Sequence, residues 1–308
     1  MKRRTLLSGA ATLTASITSA LATMRGAPAT AQPLSPTPGG NTAPDSGART
    51  MSVEGATVLV TGSNRGIGLG FVKVLLGRGA KRVYATARNP DNLPDVIALD
   101  PQRVVGLELD VNNEEQRLAA AEAATDVTWL INNAGTPGTF TAEDRRIASA
   151  STLDDAKFVM ETNCWSPAEL ARLFIPIILA NGGGAITNIL SVGAWFCLPE
   201  YTSYSMSKSA AAIMTAGLRA ELDHEPVLVS GVFTGGVQTR LSPPGYTGGV
   251  SAVDHGLEVV EAVAQGVTDV FAGGGSEAMR AQILQDPQAF ERGVIERFHT
   301  SPLAIAPF

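Results

Sequence analysis

The segment ATVLVTGSNRGIG, residues 56–68, constrains the fold of this chain more than any other. It starts with a short apolar, β-branched run, which is typical of a buried strand. Gly62, Gly66 and Gly68 follow with GxxxGxG spacing, and a helical pattern continues from them. Glycine allows a sharp turn and a close approach of backbone to ligand, and the start of a helix offers free N–H groups to a phosphate. Glycine-rich turns are common, but a strand, this turn and a helix in succession predict a dinucleotide-binding unit.

Short apolar segments alternate with helical patterns through the rest of the chain. After the first strand, the sequence predicts strands at RVYATA, RVVGLEL, DVTWLIN, GAITNILS and PVLVSGVF. Helical patterns separate them, with a long one at 152–181 and another at 202–223. Repeated alternation of this kind indicates a parallel sheet that helices cover on both faces. We therefore predict an α/β fold: a single doubly wound Rossmann-type domain with a parallel sheet of about seven strands, from 53 to 308.

The chain before this domain has a different character. Residues 1–31 combine a pair of arginines near the start, a mildly apolar run and the small-residue pattern Ala29-x-Ala31. This combination predicts a twin-arginine-like signal peptide, and a disordered basic tail is the alternative. Residues 32–52 are rich in Pro, Gly, Ser and Thr and predict a flexible linker. We therefore expect an exported, periplasmic protein with no stable membrane span after processing, or a cytoplasmic protein if the signal is not used.

The charge and the cysteines argue against several classes of protein. The net charge is −6, and the segment 1–31 contains basic residues but none of the 29 acidic residues. The remaining chain is therefore distinctly acidic, which argues against nucleic-acid binding. Cys164 and Cys197 lack CxxC spacing and the three histidines are scattered, so we predict no metal site. The sequence leaves open whether the two cysteines pair.

Two arginines bear on the choice between NAD(H) and NADP(H). An NAD-preferring site usually has an acidic residue about 20 residues beyond the glycines, where it binds the ribose 2′-hydroxyl. This chain has Arg88 there, in the sequence YATARN, and Arg65 inside the turn. A guanidinium pairs with a 2′-phosphate and cannot accept a hydrogen bond from a hydroxyl. The pattern favours NADP(H) over NAD(H), and the alternative is that Arg88 is only an exposed charge after a strand.

Further polar residues follow the predicted strands in a fixed order. NNAG, residues 132–135, closes the fourth strand, and Ser191 ends the fifth. Tyr204 and Lys208 lie four residues apart, which places them on one face of a helix. Together with Asn163 in the long helical region and the glycine turn, this set resembles the short-chain dehydrogenase/reductase family. The resemblance covers essentially the whole predicted domain.

The resemblance implies a catalytic set of Asn163, Ser191, Tyr204 and Lys208. Tyr204 would act as general acid/base, assisted by the Lys208 ammonium, which would lower the pKa of the phenol and hold the nicotinamide ribose. Ser191 would bind the substrate oxygen, and Asn163 would hold a water that relays protons to Lys208. Tyr201 is a competing tyrosine, but the residue four positions after it is a serine.

The same resemblance implies the residues that contact the cofactor. Asp110 and Val111 would contact the adenine, and Val237 and Thr239 would contact the nicotinamide amide. Asp110 has an alternative role as a turn or helix-capping acid. The full predicted set is Gly62, Ser63, Asn64, Arg65, Gly66, Ile67, Gly68, Arg88, Asp110, Val111, Asn133, Ala134, Gly135, Tyr204, Lys208, Val237 and Thr239.

One segment departs from the family pattern. The family usually has Pro-Gly after the sixth strand, whereas this chain has FTGGVQT, with Thr234 in place of the proline. We expect a more mobile loop there, because threonine and two glycines replace a rigid residue. Residues 240–256 are rich in Gly and Pro and predict a loop that faces the substrate. Trp195, Phe196 and Leu198 form an apolar pocket wall, or they pack in the core or at a subunit contact.

These features together predict an NADP(H)-dependent oxidoreductase that interconverts a ketone or aldehyde and an alcohol by hydride transfer. The alternative is a non-catalytic NADP(H)-binding redox sensor, which would not need the tyrosine–lysine pair. The expected partner is a small-molecule carbonyl or alcohol substrate, with no nucleic acid. The resemblance also implies a homodimer or homotetramer formed through the long helices.

Overall fold

Seven parallel strands form the centre of the protein in a computed structural model that describes residues 49–138, 141, 143–239 and 249–300. The strands are β1 (Thr57–Val60), β2 (Arg82–Ala87), β3 (Val104–Glu108), β4 (Trp129–Asn132), β5 (Gly184–Ile189), β6 (Val227–Thr234) and β7 (Asp269–Ala272). They lie in the order β3-β2-β1-β4-β5-β6-β7, and every neighbouring pair is parallel. The predicted single Rossmann-type α/β domain with a seven-stranded parallel sheet is confirmed.

The strand order reverses beside β1, and this reversal determines where the candidate cofactor site lies. The chain moves from β1 outward to β2 and β3, and then returns to β4 on the other side of β1. In an open parallel sheet, a crevice forms at the carboxyl ends of the strands at such a switch point, and ligands bind there. The glycine turn follows β1 and the NNAG segment closes β4, so both predicted cofactor segments lie at this crevice.

Helices cover both faces of the sheet. They are α1 (Gly66–Gly77), α2 (Pro94–Ile97), α3 (Glu114–Ala123), α4 (Asp154–Met160), α5 (Ser166–Ala180), α6 (Thr202–Glu221), α7 (Ala252–Ala264), α8 (Ser276–Gln285) and α9 (Pro287–Thr300). Val58 of β1 belongs to the same buried cluster as Phe71 of α1 and Val259 of α7. The next residue, Leu59, belongs to a second cluster with Phe174 of α5. Because successive side chains of a strand point to opposite faces, the two clusters are the cores of the two faces.

The long helical region predicted at 152–181 is interrupted at the site. α4 is followed by a π-helical turn, Glu161–Trp165, and then by α5. Pro167 comes directly after the π-turn, where its missing N–H removes a helical hydrogen bond, and Pro176 lies inside α5. π-helical turns within α-helices frequently mark functional positions. Here the turn contains Asn163.

The chain is in contact with the domain from the first described residues onward. The Arg49 guanidinium donates to backbone carbonyls beyond the end of α6. The Met51 N–H donates to the Ala264 carbonyl at the end of α7, at 3.1 Å. Packing against the domain therefore includes residues 49–51 of the predicted linker, and the predicted boundary at position 53 stays a prediction. Residues 1–48, with the predicted signal peptide and most of the predicted linker, lie outside the described residues.

The predicted loop at 240–256 is shorter than expected. Residues 240–248 lie outside the described residues, and α7 already begins at residue 252. The Ser251 side chain caps this helix, because its Oγ accepts a hydrogen bond from the Asp254 N–H at 3.1 Å. The prediction of a loop is therefore wrong for residues 252–256, where a serine N-cap starts a helix.

Candidate active site

The glycine turn is held against the end of β2. The Ser63 N–H donates to the Thr86 carbonyl (2.9 Å), and Ser63 Oγ accepts from the Thr86 N–H (2.8 Å). The Gly62 N–H donates to Thr86 Oγ1 (3.2 Å), and Gly62 has a φ of 62°, which L side chains rarely adopt. Ser63 is fully buried and fixes the turn. Its predicted contact with the cofactor stays a prediction.

The inside of the turn is filled by backbone atoms and by Asn133. A Cβ atom added at Gly68 would lie 2.4 Å from the Gly62 carbonyl oxygen and 2.7 Å from Asn133 Nδ2. Asn133 Nδ2 donates to the carbonyl oxygens of Thr61 and Gly62, at 2.8 and 3.1 Å. The N–H groups of Asn133 and Ala134 both donate to Thr61 Oγ1 at 2.9 Å. These hydrogen bonds hold the glycine turn and the NNAG segment together. In this arrangement, backbone atoms can lie close to a bound pyrophosphate.

The first turn of α1 presents an uncapped helix start to the crevice. Arg65 is the N-cap residue, its side chain makes no capping hydrogen bond, and the first turn has no acidic residue. The helix dipole and the N–H groups of the turn, which includes Asn64, Gly66 and Ile67, favour an anion there. Arg65 and Arg88 are exposed, and within the described residues neither guanidinium has a hydrogen bond or an ion pair. These features fit a nicotinamide dinucleotide, and the two cations are available to a 2′-phosphate.

Asp110 and Val111 follow β3 and are tied to the helix that contains the π-turn. Asp110 Oδ1 accepts from the Asn112 N–H at 3.0 Å, so the turn role considered as its alternative is present. Val111 is buried, and its carbonyl accepts from the Arg117 guanidinium at 2.6 Å. Asn112 Nδ2 in turn donates to Thr162 Oγ1 in the π-turn, at 2.8 Å. The adenine contacts of Asp110 and Val111 stay predictions.

Ser191 and Tyr204 meet beyond the carboxyl end of β5. Ser191 Oγ accepts from the Gly193 N–H at 3.1 Å, and its hydroxyl faces the phenol of Tyr204, which lies in the first turn of α6. Burial raises the pKa of Tyr204 above its ordinary value, and the polar interaction with the Ser191 hydroxyl opposes that rise. The phenol is therefore protonated at neutral pH. This is the form that donates a proton to a carbonyl oxygen.

Lys208 lies one helical turn after Tyr204 and points to the end of β5. Its Nζ donates to the Ile189 carbonyl at 2.7 Å and lies 5.8 Å from the centre of the Tyr204 ring. A Cβ atom at Gly135 would lie 3.5 Å from this Nζ, so the NNAG segment borders the ammonium. Burial lowers the pKa of Lys208 to about 8, with a smaller opposing contribution from Cys164. Burial of the phenol raises the pKa of Tyr204 in this structure, so the lowering expected from the Lys208 ammonium stays a prediction.

Asn163 joins the segment after β4 to α6. Its Nδ2 donates to the Thr136 carbonyl (2.8 Å) and to Ser207 Oγ (2.9 Å), and its Oδ1 accepts from the Thr136 N–H (2.9 Å). Both amide hydrogens are therefore used within the protein. The side chain fixes the NNAG segment relative to α6, which carries Tyr204 and Lys208. The relay water assigned to Asn163 stays a prediction.

The segment after β6 is fixed by close backbone packing against the loop after β7. The Gly236 N–H donates to the Gly274 carbonyl (2.8 Å), and the Gly236 carbonyl accepts from the N–H groups of Gly274 (2.9 Å) and Val250 (3.2 Å). A Cβ atom at Gly235 would lie 2.6 Å from the Gly274 carbonyl oxygen. The two glycines are therefore explained by this close approach, and the expectation of a more mobile loop has no support in the packing.

Thr234, in the position of the family's proline, contacts a buried histidine. Thr234 Oγ1 lies 3.2 Å from Nε2 of His255 in α7, and His255 is fully buried. Burial lowers the pKa of His255 to about 4, so its ring is neutral at physiological pH. Val237 is also buried, and the Thr239 side chain lies beside Gly66 at the start of α1. Thr239 therefore borders the glycine turn, as its predicted contact with the cofactor requires.

The apolar residues that precede α6 divide between the core and the last helix. Trp195 makes edge contacts with Phe233 and Phe271, at 5.7 and 5.5 Å between ring centres, and packs against their buried cluster. Phe196 instead packs edge-on against Phe290 of α9, at 5.0 Å. Trp195 thus fits the core alternative, whereas Phe196 belongs to a surface that α9 covers.

Several side chains that hold the site together were not singled out in the sequence. Thr61 accepts hydrogen bonds from two N–H groups of the NNAG segment, and Thr86 holds the glycine turn. Ser207 accepts from Asn163 and donates to the Tyr204 carbonyl at 2.7 Å. A signal was available for two of them, since Thr61 directly precedes the first glycine and Ser207 lies one turn after Tyr204.

Other kinds of site are missing from the part of the chain that the structure describes. In those ranges no three His, Cys, Asp or Glu side chains are grouped so as to hold a metal ion. No described helix has the length and apolar character that a membrane span needs. Both cysteines are free thiols, with Cys164 buried and Cys197 exposed. The possible pairing of these cysteines is therefore not present in this structure.

A comparison with protein families defines the class. The family model for short chain dehydrogenases matches residues 56–245, which is more than half of the chain. This chain belongs to the short-chain dehydrogenase family, a family of oxidoreductases that use NAD(P).

Individual relatives agree with this class. A short-chain dehydrogenase from Penicillium crustosum is 35% identical over 203 residues, which cover 63% of this chain and 70% of that protein. A ketoacyl reductase from Nostoc is 28% identical over 236 residues, 71% of this chain and 79% of that protein. Among solved structures, a short chain dehydrogenase from Burkholderia cenocepacia in complex with NADP is 35% identical with a TM-score of 0.70, covering 80% of this chain and 99% of that chain. L-Sorbose reductase from Gluconobacter frateurii, complexed with NADPH and L-sorbose, is 27% identical with a TM-score of 0.56, covering 62% and 73%.

Proposed function

We propose that the protein is an NADP(H)-dependent oxidoreductase that interconverts a ketone or aldehyde and an alcohol. The observation that carries this proposal is the meeting of Ser191, Tyr204 and Lys208 at the carboxyl end of β5, beside the NNAG segment. A protein that only sensed NADP(H) would need the glycine turn but not this set. The NADP and NADPH complexes of the two solved relatives support the choice of cofactor.

The residues of the chain account for binding, orientation and proton transfer. The glycine turn and the start of α1 would hold the pyrophosphate, and Lys208 would hold the ribose hydroxyls. The nicotinamide, when bound, supplies or accepts the hydride. Ser191 orients the substrate by hydrogen-bonding its oxygen and stabilises negative charge there. Tyr204 donates its phenolic proton to the same oxygen during reduction and removes it during oxidation, while the Lys208 ammonium stabilises the phenolate.

Turnover followed through the absorbance of the nicotinamide tests this proposal. The purified protein is mixed with NADPH and a panel of aldehydes and ketones, and then with NADP⁺ and the matching alcohols. We expect consumption of NADPH with at least one carbonyl compound. Binding of NADPH without turnover of any compound would contradict the proposal and favour the redox sensor.

Arg88→Asp is expected to weaken NADPH far more than NADH. The Arg88 guanidinium follows β2, where an acidic residue binds the 2′-hydroxyl in NAD-preferring sites. The substitution removes a charge-assisted contact with the 2′-phosphate and adds a repulsive charge, so the KM for NADPH should rise about tenfold to a hundredfold. Steady-state kinetics with both cofactors measure this, with Arg292→Asp, an exposed arginine of α9, as the control. Equal changes in the KM for NADPH and for NADH would contradict the assignment of Arg88 to the 2′-phosphate.

Carbonyl reduction is expected to lose efficiency as the pH rises through about 8, the pKa of Lys208. Below that pH the ammonium holds the ribose and stabilises the phenolate, and above it the amine is neutral.

The effect of pH on the stability of the protein has the opposite sign. The folded-state pKa lies below the ordinary value of 10.5, so the unfolded chain holds more protons between these values, and the contribution of Lys208 to the free energy of unfolding rises with pH.

The pH profile of kcat/KM for NADPH-dependent reduction checks this expectation. Urea unfolding of the wild type and of Lys208→Met, at a pH below 8 and one above it, separates the loss of activity from unfolding. A kcat/KM that is constant across pH 8 would contradict the role given to the ammonium.

We also propose a homodimer or homotetramer formed through the long helices. Trp165 in the π-turn is 58% exposed, and Met206 and Ile213 of α6 are 43% and 76% exposed. Met206 and Ile213 are seven residues apart and so lie on one face of α6. Exposed apolar residues grouped in this way are typical of an interaction surface. Light scattering measures the assembly, and a wild-type mass no larger than that of one full chain, 31.9 kDa, would contradict it.

For the ends of the chain we propose the organisation that the sequence predicts. Residues 1–31 act as a twin-arginine-like signal peptide, 32–52 as a linker, and 53–308 as the oxidoreductase domain, with added domain contacts from residue 49. The mature protein is then periplasmic. Cell fractionation of the wild type and of a variant with lysines at positions 3 and 4 tests this, and a wild-type protein found wholly in the cytoplasm would contradict it.

A further inference from the structure

α9 lies beyond the residues that the family model matches, and it packs on the segment between two catalytic residues. That segment, 192–203, joins Ser191 to Tyr204. Phe290 of α9 packs edge-on against Phe196 of the segment, at 5.0 Å between ring centres. α9 therefore covers the connection that sets the relative positions of the serine and the tyrosine.

A second contact, between Arg297 of α9 and Glu200, is a bidentate ion pair with one fully buried partner. Arg297 Nη1 and Nη2 lie 2.5 and 3.0 Å from the two carboxylate oxygens of Glu200. The Glu200 side chain is 0% exposed, whereas that of Arg297 is 29% exposed. The hydrogen bond with Glu200 raises the pKa of Arg297. A pair with two parallel hydrogen bonds fixes orientation as well as distance.

The position of Glu200 connects this ion pair to the catalytic helix. Glu200 lies in a 3₁₀ turn, Pro199–Tyr201, that leads directly into α6, and Tyr204 follows four residues later. None of the residues of α9, all of which the structure describes, is buried. A third contact is made by Arg146, whose guanidinium lies 5.4 Å from the centre of the Phe298 ring. The placement of α9 thus depends on a few specific side-chain contacts, of which the ion pair is the most directional.

We propose that Arg297 and Glu200 are positioning residues for substrate recognition. Their ion pair holds α9 against the segment between Ser191 and Tyr204, and so fixes the outer wall that meets the far end of a bulky substrate. The pair is separate from the residues to which we assign proton transfer and cofactor binding. It therefore acts mainly on the KM of substrates large enough to reach α9, and small carbonyl compounds are little affected. This inference rests on the proposed oxidoreductase function.

Kinetics of Arg297→Met with two substrates test the proposal. The substrates are one small aliphatic aldehyde and one bulky aromatic ketone that the wild type reduces. The KM for the bulky ketone is expected to rise about tenfold, while the KM for the small aldehyde and both kcat values change less than about twofold. Arg297→Lys, which keeps the charge but loses the bidentate geometry, should recover part of the KM.

The control for these kinetics is Arg292→Met, because Arg292 lies on the same helix, is exposed and has no hydrogen bond or ion pair within the described residues. An equal rise in KM for both substrates, or no change relative to this control, would overturn the proposal.

Hydrogen exchange separates this proposal from the proposed function. If the wild type reduces no carbonyl compound, the proposed function fails, and the ion pair is judged from exchange alone. In Arg297→Met, amide exchange is expected to become faster in α9 and in 192–203, and to stay unchanged in β1. Glu200→Gln keeps the size of the side chain and should give the same pattern if Arg297→Met folds poorly. Unchanged exchange in α9 in both variants would overturn the proposal.

Discussion

Tyr204→Phe is expected to reduce kcat about a thousandfold, within the range that general acid catalysis contributes, while NADPH still binds. The substitution removes the phenolic hydroxyl that faces Ser191 and keeps the ring. Ser191 Oγ retains its hydrogen bond from the Gly193 N–H, so the serine stays in place. Absorbance assays give kcat, and a fluorescence titration gives the Kd for NADPH.

Tyr201→Phe is the matched control for that substitution. Tyr201 lies three residues before Tyr204. The Arg145 guanidinium lies 5.4 Å from the centre of the Tyr201 ring, so this tyrosine packs against Arg145. Its kcat should stay within a few-fold of the wild type. A Tyr204→Phe protein that retains a tenth or more of wild-type turnover would overturn the assignment of Tyr204 as the proton donor.

Gly68→Ala is expected to abolish tight NADPH binding. The added Cβ would lie 2.4 Å from the Gly62 carbonyl oxygen and 2.7 Å from Asn133 Nδ2, so the turn and the NNAG segment have to move apart. Overpacking of this kind costs about 1–3 kcal/mol. If this cost reduces the free energy of NADPH binding, the Kd for NADPH rises by roughly tenfold to a hundredfold. A fluorescence titration with NADPH measures the effect, and thermal unfolding reports any part of it that is expressed in stability.

Gly77→Ala, in the same helix as Gly68→Ala, is expected to leave NADPH binding unchanged. Gly77 ends α1, is exposed, and has no atom within 4 Å of the position of an added Cβ. Alanine in a helix is more favourable than glycine by about 0.5–1 kcal/mol, so this variant should bind NADPH normally and unfold at the same or a higher temperature. Equal NADPH affinity in Gly68→Ala and Gly77→Ala would show that the close packing of the turn does not shape the cofactor site.

The central part of the fold can be predicted because its signals are local. Each of the strands β1 to β6 is marked by a short apolar run, and the glycine turn identifies the strand beside which the order reverses. β7 and the two helices after it are not located individually in this way. The strand DVFA, 269–272, has only four residues, which is too few for a period to identify, and it pairs with β6 through contacts about 38 residues apart along the chain.

The site is predictable in its residues and less so in their environments. Tyr204 and Lys208 are recognisable because a helical period brings them together. The raised pKa of Tyr204 depends on burial, which comes from the whole fold and not from its neighbours in sequence. The Asn163 side chain is hydrogen-bonded to Thr136, 27 residues earlier, and to Ser207, 44 residues later, and the ion pair between Glu200 and Arg297 spans 97 residues. Contacts over such separations have no sequence period to reveal them.

The backbone junction at Gly236 separates two parts of the protein that can change independently. The Gly236 carbonyl accepts from the Val250 N–H, and the Gln238 N–H donates to the Val250 carbonyl at 2.9 Å. The chain leaves this junction after Thr239 and has returned to it by Gly249. Because the entropy of closing a loop grows only slowly with its length, the connection between these points can be exchanged for a shorter or longer one at small cost. The length of this connection can therefore change during evolution, or in a designed library, while the backbone contacts of Gly236 are kept.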